Sequence, residues 1–393
     1  MIPVLNVLPQ QLYITVTYLG DLAVTKWLSL IDSTFNINNP CVMGSITAAP
    51  ADAAHSGSLQ SVSGTHAVVI PQEVLLSGSN LYSVCYAEVD GSIFDTSWRY
   101  TGIQVRTTLI ESISSHSVQH RTFGQIAAHS SLQLVYGGIL GMYKWLSFVD
   151  SSLNNNNPCA LGTVAGSASD TTHSGPLRGG AFTKIVQVDT TQLLKTSSFA
   201  VCYTEAVGDT TASWIDSGLR LTISKVSSLQ YGTPSRSMTS ANIAAATNRL
   251  PQAINMVVTY LGDLGRQKWL SLVDSTLTGL NGNDPCVSSA VAAAGADSAH
   301  SGPLQATMGT TVVTVPQTVA LLSAAKTYAV CYAEVDGSSN DVTWSDSYVR
   351  LQMTKIQSLS HIEVTTQTVG HIQPHPNIIL FLITTHALTC III

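Results

Sequence analysis

The sequence contains one unit three times, and this repeat constrains the fold more than any other feature. TKWLSLIDSTFNINNPC (25–41) returns as YKWLSFVDSSLNNNNPC (143–159) and again as QKWLSLVDSTLTGLNGNDPC (267–286). The landmarks keep one order in every copy: Trp, Pro-Cys, His-Ser-Gly, Cys-Tyr, a second Trp and an Arg. Because such a repeat signals one structural unit copied along a chain, the sequence predicts three domains of the same fold.

Within each copy, apolar and polar residues alternate with period two, as in a half-buried β-strand. In SYVRLQMTK, for example, Val349, Leu351 and Met353 share one face. The Asp-Gly pair at 336–337, which ends TYAVCYAEVDG, predicts a tight hairpin. We therefore expect an all-β fold, with three tandem immunoglobulin-like or fibronectin III-like β-sandwich domains and a C-terminal extension strand.

The expected domain boundaries follow from where the repeat fades. Two barely repeated polar segments that contain Gly, Ser or Pro, 114–130 and 230–251, are predicted to be inter-domain linkers. The N-terminal MIPVLNVLPQ has neither a basic leader nor a small-residue cleavage site, so we do not expect a signal peptide there. The domains are then expected at 1–113, 131–229 and 252–359, with a tail at 360–393.

Composition limits the classes of partner and the location. Charged residues make up 10% of the chain, against roughly 25% in ordinary soluble domains. The net charge is −6 and Lys and Arg do not cluster, so nucleic acid is not an expected partner. A weakly charged surface rich in Ser and Thr is more usual outside cells, which predicts an extracellular or cell-surface protein. The chain has no Asn-x-Ser/Thr sequon, so only O-linked glycans remain open.

Six of the seven cysteines recur as one pair per copy, at nearly constant spacing. Such a pattern predicts an intradomain disulfide in each domain, worth about 4 kcal/mol each if the bond restricts the unfolded chain. Buried free thiols are an alternative. A metal site is a weaker one, because two distant cysteines without a CxxC partner make a poor zinc site. Cys390 is left over. The predicted pairs are Cys41/Cys85, Cys159/Cys202 and Cys286/Cys331.

Each copy also carries Asp-x-x-His-Ser-Gly, which supplies the residue types of a nucleophilic triad. A triad is recognised by converging geometry, and neighbours on one loop seldom converge on one atom. No Gly-x-Ser-x-Gly elbow accompanies the motif. We therefore expect a loop-stabilising turn and no enzyme activity. The residues concerned are Asp52/His55/Ser56, Asp170/His173/Ser174 and Asp297/His300/Ser301.

Two further sets of residues recur. The acidic hairpins resemble calcium ligands, but calcium needs six or more oxygens and the EF-hand spacing is absent, so we expect solvated hairpins, no metal and no cofactor. The paired tryptophans are either sugar-stacking platforms or core residues, and their period-two positions favour the core. The hairpins contain Glu88/Asp90/Asp95, Glu205/Asp209 and Glu334/Asp336/Asp341, and the tryptophans are Trp27/Trp98, Trp145/Trp214 and Trp269/Trp344.

The motif string KWLSLVDSTL…DPC…HSGPLQ…YAVCYAEVDGS…TWSDSYVRL resembles tandem-repeat extracellular proteins of algae and other protists, over residues 11–359. The resemblance implies an extracellular protein but transfers no functional residue. VCYAE also resembles the last core strands of an immunoglobulin domain. Trp27, however, precedes Cys41, whereas the immunoglobulin order places the tryptophan after the first cysteine. The expectation is therefore a sandwich of immunoglobulin-like or fibronectin-like type and no closer match.

The apolar tail NIILFLITTHALTCIII (377–393) has the position of a first strand. In the second copy a strand begins at Leu132, 19 residues after Ile113, and Ile378 stands at the same distance from Leu359. The tail is rich in β-branched residues, which favour strands. It is shorter than the ~20 residues of a spanning helix and lacks a basic flank, so membrane insertion is not expected.

An unpaired apolar strand invites pairing with another chain. Insertion into the sheet of a neighbouring copy, as in the donor-strand complementation of pili, would join copies head to tail into a filament. The sequence therefore predicts a structural subunit of an extracellular homopolymer. A membrane-anchored adhesin or carbohydrate-binding ectodomain is the alternative, and a hydrolase the third. The predicted assembly strand comprises Ile378, Ile379, Leu380, Phe381, Leu382 and Ile383.

Overall fold

The structure of the chain is a computed structural model, and nearly all of its regular structure is β-strand, as predicted. Three two-sheet domains follow one another. The structure describes residues 6–10, 12–240, 248–277, 284–318, 321–361, 364–366, 379–384 and 387–392.

Among these described residues, seven strands form the first domain: β1 (Asn6–Leu8), β2 (Ile14–Thr17), β3 (Trp27–Asp32), β4 (Leu59–Gln60), β5 (Ala67–Ile70), β6 (Leu81–Ala87) and β7 (Arg99–Thr107). Nine form the second: β8 (Ser112–Ser115), β9 (Val118–His120), β10 (Phe123–Ile126), β11 (Leu132–Gly137), β12 (Trp145–Asp150), β13 (Leu177–Arg178), β14 (Ile185–Val188), β15 (Phe199–Thr204) and β16 (Ile215–Ile223). Nine form the third: β17 (Val226–Tyr231), β18 (Arg236–Thr239), β19 (Arg249–Leu250), β20 (Met256–Gly262), β21 (Trp269–Asp274), β22 (Leu304–Gln305), β23 (Val312–Val315), β24 (Thr327–Ala333) and β25 (Ser345–Met353).

Two hairpins follow the third domain. The first pairs β26 (Leu359–His361) with β27 (Val364–Thr366), and the second pairs β28 (Ile379–Thr384) with β29 (Ala387–Ile392). The only helices among the described residues are short. They are α1 (Phe35–Asn38), α2 (Gly44–Thr47), α3 (Leu153–Asn156), α4 (Gly162–Ala165) and α5 (Ser289–Ala292), with 3-10 turns at Pro40–Val42, Pro158–Ala160 and Pro285–Val287.

The second domain shows the whole unit. Its larger sheet has the order β10-β16-β15-β12-β13 and its smaller sheet the order β14-β11-β8-β9. The N-terminal part of the domain serves both sheets, since β8 pairs antiparallel with β11 while β10 pairs parallel with β16. The third domain repeats both orders, as β19-β25-β24-β21-β22 and β23-β20-β17-β18. Two packed sheets with this strand order are the immunoglobulin-like sandwich that the sequence predicts.

A tyrosine corner, another immunoglobulin-type feature, occurs in two of the three copies. The hydroxyl of Tyr82, near the start of β6, donates to the carbonyl of Ser77 at 3.0 Å. Tyr328 donates in the same way to Ser323 at 3.3 Å. Phe199 takes this position in the second copy, where the bond is replaced by apolar packing.

The domain boundaries differ from those expected from the sequence. The presumed linker 114–130 contains β9 and β10, and the presumed linker 230–251 contains β18 and β19, all of which pair into the sheets of the following domain. Weak repetition had suggested linkers, but these edge strands tolerate variable sequence because much of their pairing is through the backbone. The second domain therefore begins directly after Thr108 and the third directly after Ser224.

The larger sheet is covered on both faces. In β3, Leu28 and Leu30 point into the sandwich core, whereas Ile31 packs with the disulfide and Trp98 on the opposite face. This second layer comes from the loop after β3, whose Asn-rich stretch contains left-handed residues. Asn36, Ile37 and Asn38 have φ values of 49°, 55° and 63°, a conformation that asparagine tolerates better than most residues.

Among the described residues, none of the helices has the length and apolar character needed to span a membrane.

Candidate functional site

Each domain contains the disulfide expected from the sequence. The bonds join Cys41 to Cys85, Cys159 to Cys202 and Cys286 to Cys331, with Cα–Cα distances of 5.5, 5.4 and 5.3 Å. Each bond ties the loop after the Trp strand to the middle of the Cys-Tyr strand, and does not link the two sheets as an immunoglobulin disulfide does. Three disulfides in one chain fit an oxidising compartment and an extracellular β-domain protein.

The Asp-His-Ser residues form a turn. Nδ1 of His55 lies 2.9 Å from Oδ1 of Asp52, and that carboxylate also accepts the backbone amides of Ala54 and His55. The Ser56 hydroxyl accepts the Leu30 amide at 2.9 Å and donates to its neighbour's carbonyl. The same pattern recurs at Asp170–Ser174 and at Asp297–Ser301.

This geometry leaves the serine hydroxyl bonded to backbone groups on both sides, with no hydrogen bond to the histidine. Burial alone would raise the pKa of Asp52, but the bonds from Ala54 and His55 outweigh it and lower that pKa. The carboxylate is therefore kept ionised as the acceptor of a loop turn. The arrangement matches the loop-stabilising role predicted from the sequence.

The acidic hairpins of the first and third copies are not simply solvated, which corrects the expectation from sequence for these two. Asp95 is buried, and its carboxylate accepts the amides of Asp90, Gly91 and Ser97 at 2.7–2.8 Å. These bonds, together with one from the Ser97 hydroxyl, outweigh burial and lower the pKa of Asp95 to about 2. Asp341 has the same bonds in the third copy. The oxygens that calcium would need are thus occupied by the turn itself.

This turn and its copy at 336–337, where Asp-Gly predicted a tight hairpin, are both longer than such a hairpin. β6 ends at Ala87 and β7 begins only at Arg99, while β24 ends at Ala333 and β25 begins only at Ser345. Gly91 is required there for a packing reason. A Cβ atom at this position would lie 2.3 Å from the Trp27 ring, and φ is +61°. The glycine lets the turn close over the indole.

The tryptophans are packed, as predicted. Trp98, Trp214 and Trp344 are buried beside the disulfides, and Trp27, Trp145 and Trp269 pack partly buried against the same clusters. In the second domain the guanidinium of Arg178 lies over Tyr143 at 4.4 Å and over Trp145 at 5.5 Å. A sugar platform needs a free aromatic face, and the cation covers this one.

A buried acidic cluster is peculiar to the third domain. Asp284, Cys286 and Asp346 place one possible ligand atom each within 4.8 Å of one another. Cys286 is bonded to Cys331 and offers no thiolate, while Asp346 forms a 2.6 Å ion pair with Arg350. Burial, and then the negative charge of Asp346, raises the pKa of Asp284 to about 7. The cluster is therefore better explained as a charge pair beside a carboxyl whose pKa is raised by burial.

The predicted assembly strand falls largely within β28, which covers Ile379 to Ile383, while Ile378 lies outside the described residues. β28 is not a single extended strand, because it pairs antiparallel with β29 over its whole length. Each strand of a two-stranded hairpin leaves one backbone edge to pair with another chain. Its role in assembly remains a prediction.

The most distinctive surface is an apolar groove between the sheets of the first domain. It has a volume of about 580 Å³. The matching site in the third domain, lined by Leu250, Val258 and their neighbours, has a volume of only about 10 Å³ and includes Leu229 of β17. The first-domain groove is lined by residues such as Leu8, Val16, Leu30, Val68, Val84 and Val105.

The groove reflects an incomplete core. The core cluster of the second domain contains 21 of its own buried residues together with Tyr348 of the third domain, and the core cluster of the third domain contains 22. The corresponding cluster of the first domain contains five: Leu8, Leu30, Ile70, Leu76 and Tyr82. The smaller sheet explains the difference, since it has four strands in the later domains and only β2 and β5 among the described residues of the first.

Comparisons with known proteins leave the function open. No family model and no curated protein matches the chain. It is similar to Drosophila N-cadherin EC1-3 (10% identity, 89% of this chain, 98% of that chain, TM-score 0.16) and to chicken CNTN1 FN1-FN3 (7%, 88%, 96%, 0.16). It is also similar to the I-band fragment I67-I69 from titin, with 10% identity over 87% of this chain and 93% of that chain and a TM-score of 0.17. Scores this low carry no argument about function, and the fold assignment rests on the strand pairing described above.

Sequence reasoning missed the groove. Periodicity identifies strands, but it does not reveal that one copy has fewer strands in its smaller sheet. The repeat itself carried a signal. The first strand of the first copy, β1, aligns with β10 of the second copy and not with β8, so the first copy has no described counterpart of β8 and β9.

Proposed function

We propose that this chain is a structural subunit of an extracellular filament, in which residues 355–393 of one copy pack against the first domain of the next. Contacts of this head-to-tail kind do not close on themselves, so they generate an open array. The tandem disulfide-bonded sandwiches would supply a stiff body, because each domain begins directly where the previous one ends.

The observation that carries the proposal is the groove of about 580 Å³ in the first domain. An apolar groove of this volume that is open to water is energetically unfavourable. The counterpart of the groove in the third domain is filled by that domain's own strand β17. At the other end of the chain, the described residues after Met353 form two hairpins that join none of the three domains' sheets. The proposal needs one of these hairpins to be inserted, and the strand 378–383 predicted from the sequence is one candidate.

Electron microscopy and sedimentation of the purified full-length chain test the proposal. We expect filaments whose subunit repeat corresponds to three domains, and a chain that lacks residues 355–393 should stay monomeric. The shortened chain should keep the melting transitions of its second and third domains, which controls for misfolding. A full-length chain that stays monomeric at all concentrations would overturn the proposal, as would a shortened chain that polymerises normally.

A further inference from the structure

We propose that the element passed to the next copy is the hairpin β26–β27, which adds to the open edge of β2 in the register that β8 and β9 use in the second domain. This inference rests on the proposed filament function and specifies its donor, its acceptor and the pairing between them.

The sequence around this hairpin corresponds to the start of the second domain. Residues 355–384 align with residues 109–138 without a gap, at a constant difference of 246 (355 − 109). The gapless alignment covers the counterparts of β8, β9, β10 and β11 of the second domain. Identical pairs include Ile110/Ile356, Ser112/Ser358, Ser114/Ser360, Val118/Val364, Gly124/Gly370 and Ile126/Ile372.

The two hairpins also have the same pairing. In the second domain Ile113 lies opposite His120, and after the third domain Leu359 lies opposite Thr366. The remaining two pairs of each hairpin correspond in the same way. They are Ser114/Gln119 and Ser115/Val118 in one, and Ser360/Thr365 and His361/Val364 in the other.

The partner of this hairpin is known in two of the three copies. Ile113 lies opposite Tyr136 on β11, and Leu229 lies opposite Tyr260 on β20. In the first domain β2 pairs with β5, as β11 pairs with β14, but no other described strand pairs with β2. By alignment, Tyr18 immediately after β2 is the residue that Leu359 would face.

Burial points to the same match. Ile356 and Leu359 are 60% and 56% exposed, whereas their counterparts in the earlier copies are at most 1% exposed. On the acceptor side, Ile103 of β7 is 48% exposed where both its counterparts are fully buried. The exposed apolar residues of the tail and of β7 thus stand at positions whose counterparts belong to one core cluster in the second domain and to one in the third. The buried counterparts are Ile110, Ile113, Val226 and Leu229 for the donor, and Leu219 and Val349 for the acceptor.

Polar groups at the junctions are repeated too. The Leu109 amide donates to the Tyr203 hydroxyl at 3.0 Å, and the Lys225 amide donates to the Tyr332 hydroxyl at 3.1 Å. Lys225 Nζ also pairs with Glu334 at 2.7 Å. At a junction between two copies, the corresponding donor would be Lys355 of one copy, and the corresponding acceptors would be Tyr86 and Glu88 of the next. Lys355 and Glu88 are exposed and Tyr86 is half-buried, so all three are accessible for pairing between copies.

The strand predicted from the sequence, 378–383, has no such opening. Its counterpart in the second domain is β11 (Leu132–Gly137), and the first domain already contains the equivalent strand as β2. Similarly, β1 already occupies the place of β10 beside the last strand. Among the described residues of the first domain, the hairpin is the element that is lacking.

Substitutions in the exposed tail test the donor without touching a core. Ile356→Asp combined with Leu359→Asp should abolish assembly and leave all melting transitions unchanged. Val342→Asp is the matched control, because Val342 is 93% exposed outside the hairpin, and it should assemble normally. Deletion of residues 377–393 should also leave assembly intact. If the double variant still polymerises, or if that deletion prevents assembly, the hairpin is not the donor, although the filament proposal survives.

Cross-linking tests the acceptor and the register. In a Cys390→Ser background, a Thr17→Cys chain mixed with a Ser360→Cys chain should form a disulfide-linked dimer. Opposed residues of antiparallel strands have Cα atoms about 4.5–5.5 Å apart, which suits a disulfide. Thr15→Cys, one pleat away, should link at least tenfold less. Equal linking at both positions overturns the register. If a monomeric chain that carries both cysteines forms the disulfide within itself, pairing between copies is overturned. Pairing between copies is also overturned if the first-domain groove proves to be filled by another segment of a longer chain.

Discussion

The backbone amide of Lys225, at the start of the third domain, donates to the Tyr332 hydroxyl inside that domain at 3.1 Å. Tyr332 is buried and also accepts from Nε2 of Gln125, in the second domain, at 2.6 Å. A single hydroxyl of the third domain thus bonds to the first residue of that domain and to the second domain. Tyr203 accepts the Leu109 amide in the same way, so both junctions within the chain share this bond from a backbone amide to a buried tyrosine.

Tyr86→Phe should weaken assembly without changing the fold. Tyr86 is half-buried, and its hydroxyl makes no hydrogen bond with the residues that the structure describes. Loss of one hydrogen bond between copies should cost about 1 kcal/mol, or roughly a fivefold increase in the critical concentration for assembly. Sedimentation measures this concentration. Tyr332→Phe is the matched control, since it should destabilise the chain itself; an unchanged critical concentration for Tyr86→Phe would count against the junction.

Ser301→Ala should destabilise the third domain. Ser301 Oγ accepts the Leu272 amide at 2.8 Å and is buried, so alanine leaves a buried donor unpaired at a cost of about 1–3 kcal/mol. Asp297→Asn keeps an acceptor oxygen on a half-exposed side chain and should cost less than about 1 kcal/mol. Denaturant unfolding of both variants tests the comparison. Equal effects would show that the aspartate, and not the serine, anchors the turn.

Asp284→Asn should stabilise the third domain near neutral pH. The pKa of Asp284 is raised to about 7 in the folded chain, so the folded state binds its proton more tightly than the unfolded state does. Stability from this group is therefore present at low pH and is lost as pH rises from about 4 to about 7. The other copies have Asn39 and Asn157 here.

The gain from Asp284→Asn should be on the order of 1–4 kcal/mol at pH 8 and should vanish below about pH 4. Thermal unfolding at both pH values measures the difference. A gain of the same size at pH 3.5 would show that the effect does not come from ionisation.

Removal of one disulfide should be costly but confined to its own domain. The bond Cys286–Cys331 spans 45 residues, and loss of such a loop constraint predicts about 4 kcal/mol of destabilisation. Replacement of both cysteines by alanine should lower the melting temperature of the third domain alone. Calorimetry resolves the three transitions; a concerted loss in all domains would contradict independent cores.

Much of the fold could be predicted because the same sequence pattern occurs three times in the chain. The period of two and the paired cysteines indicated the sandwiches and the three bonded pairs. The role of the Asp-His-Ser loop also followed, since adjacent residues on a turn bond to backbone more readily than they converge on a substrate. Each of these features is carried by the sequence within one repeat.

The remainder depended on tertiary pairing. The segments 114–130 and 230–251 looked like linkers because backbone pairing at sheet edges imposes little on sequence. Burial of Asp95 and Asp341 was missed because a carboxylate that collects several backbone amides has no sequence signature distinct from a solvated one. The groove required knowledge of which strand each edge lacks, and Ile356 and Leu359 drew no attention beside the more apolar tail.

Hydrogen–deuterium exchange of β2 tests the central claim most directly. Peptides covering Leu12–Leu19 are compared in the full-length assembled chain and in the monomeric Ile356→Asp/Leu359→Asp variant. Because pairing with a neighbour's hairpin would bond the outer amides within Thr17–Leu19, which correspond to the β11 residues that pair with β8, exchange of this peptide should slow by at least tenfold on assembly, while exchange of β11 and β20 stays unchanged. Equal exchange of β2 in filaments and monomers would contradict the account.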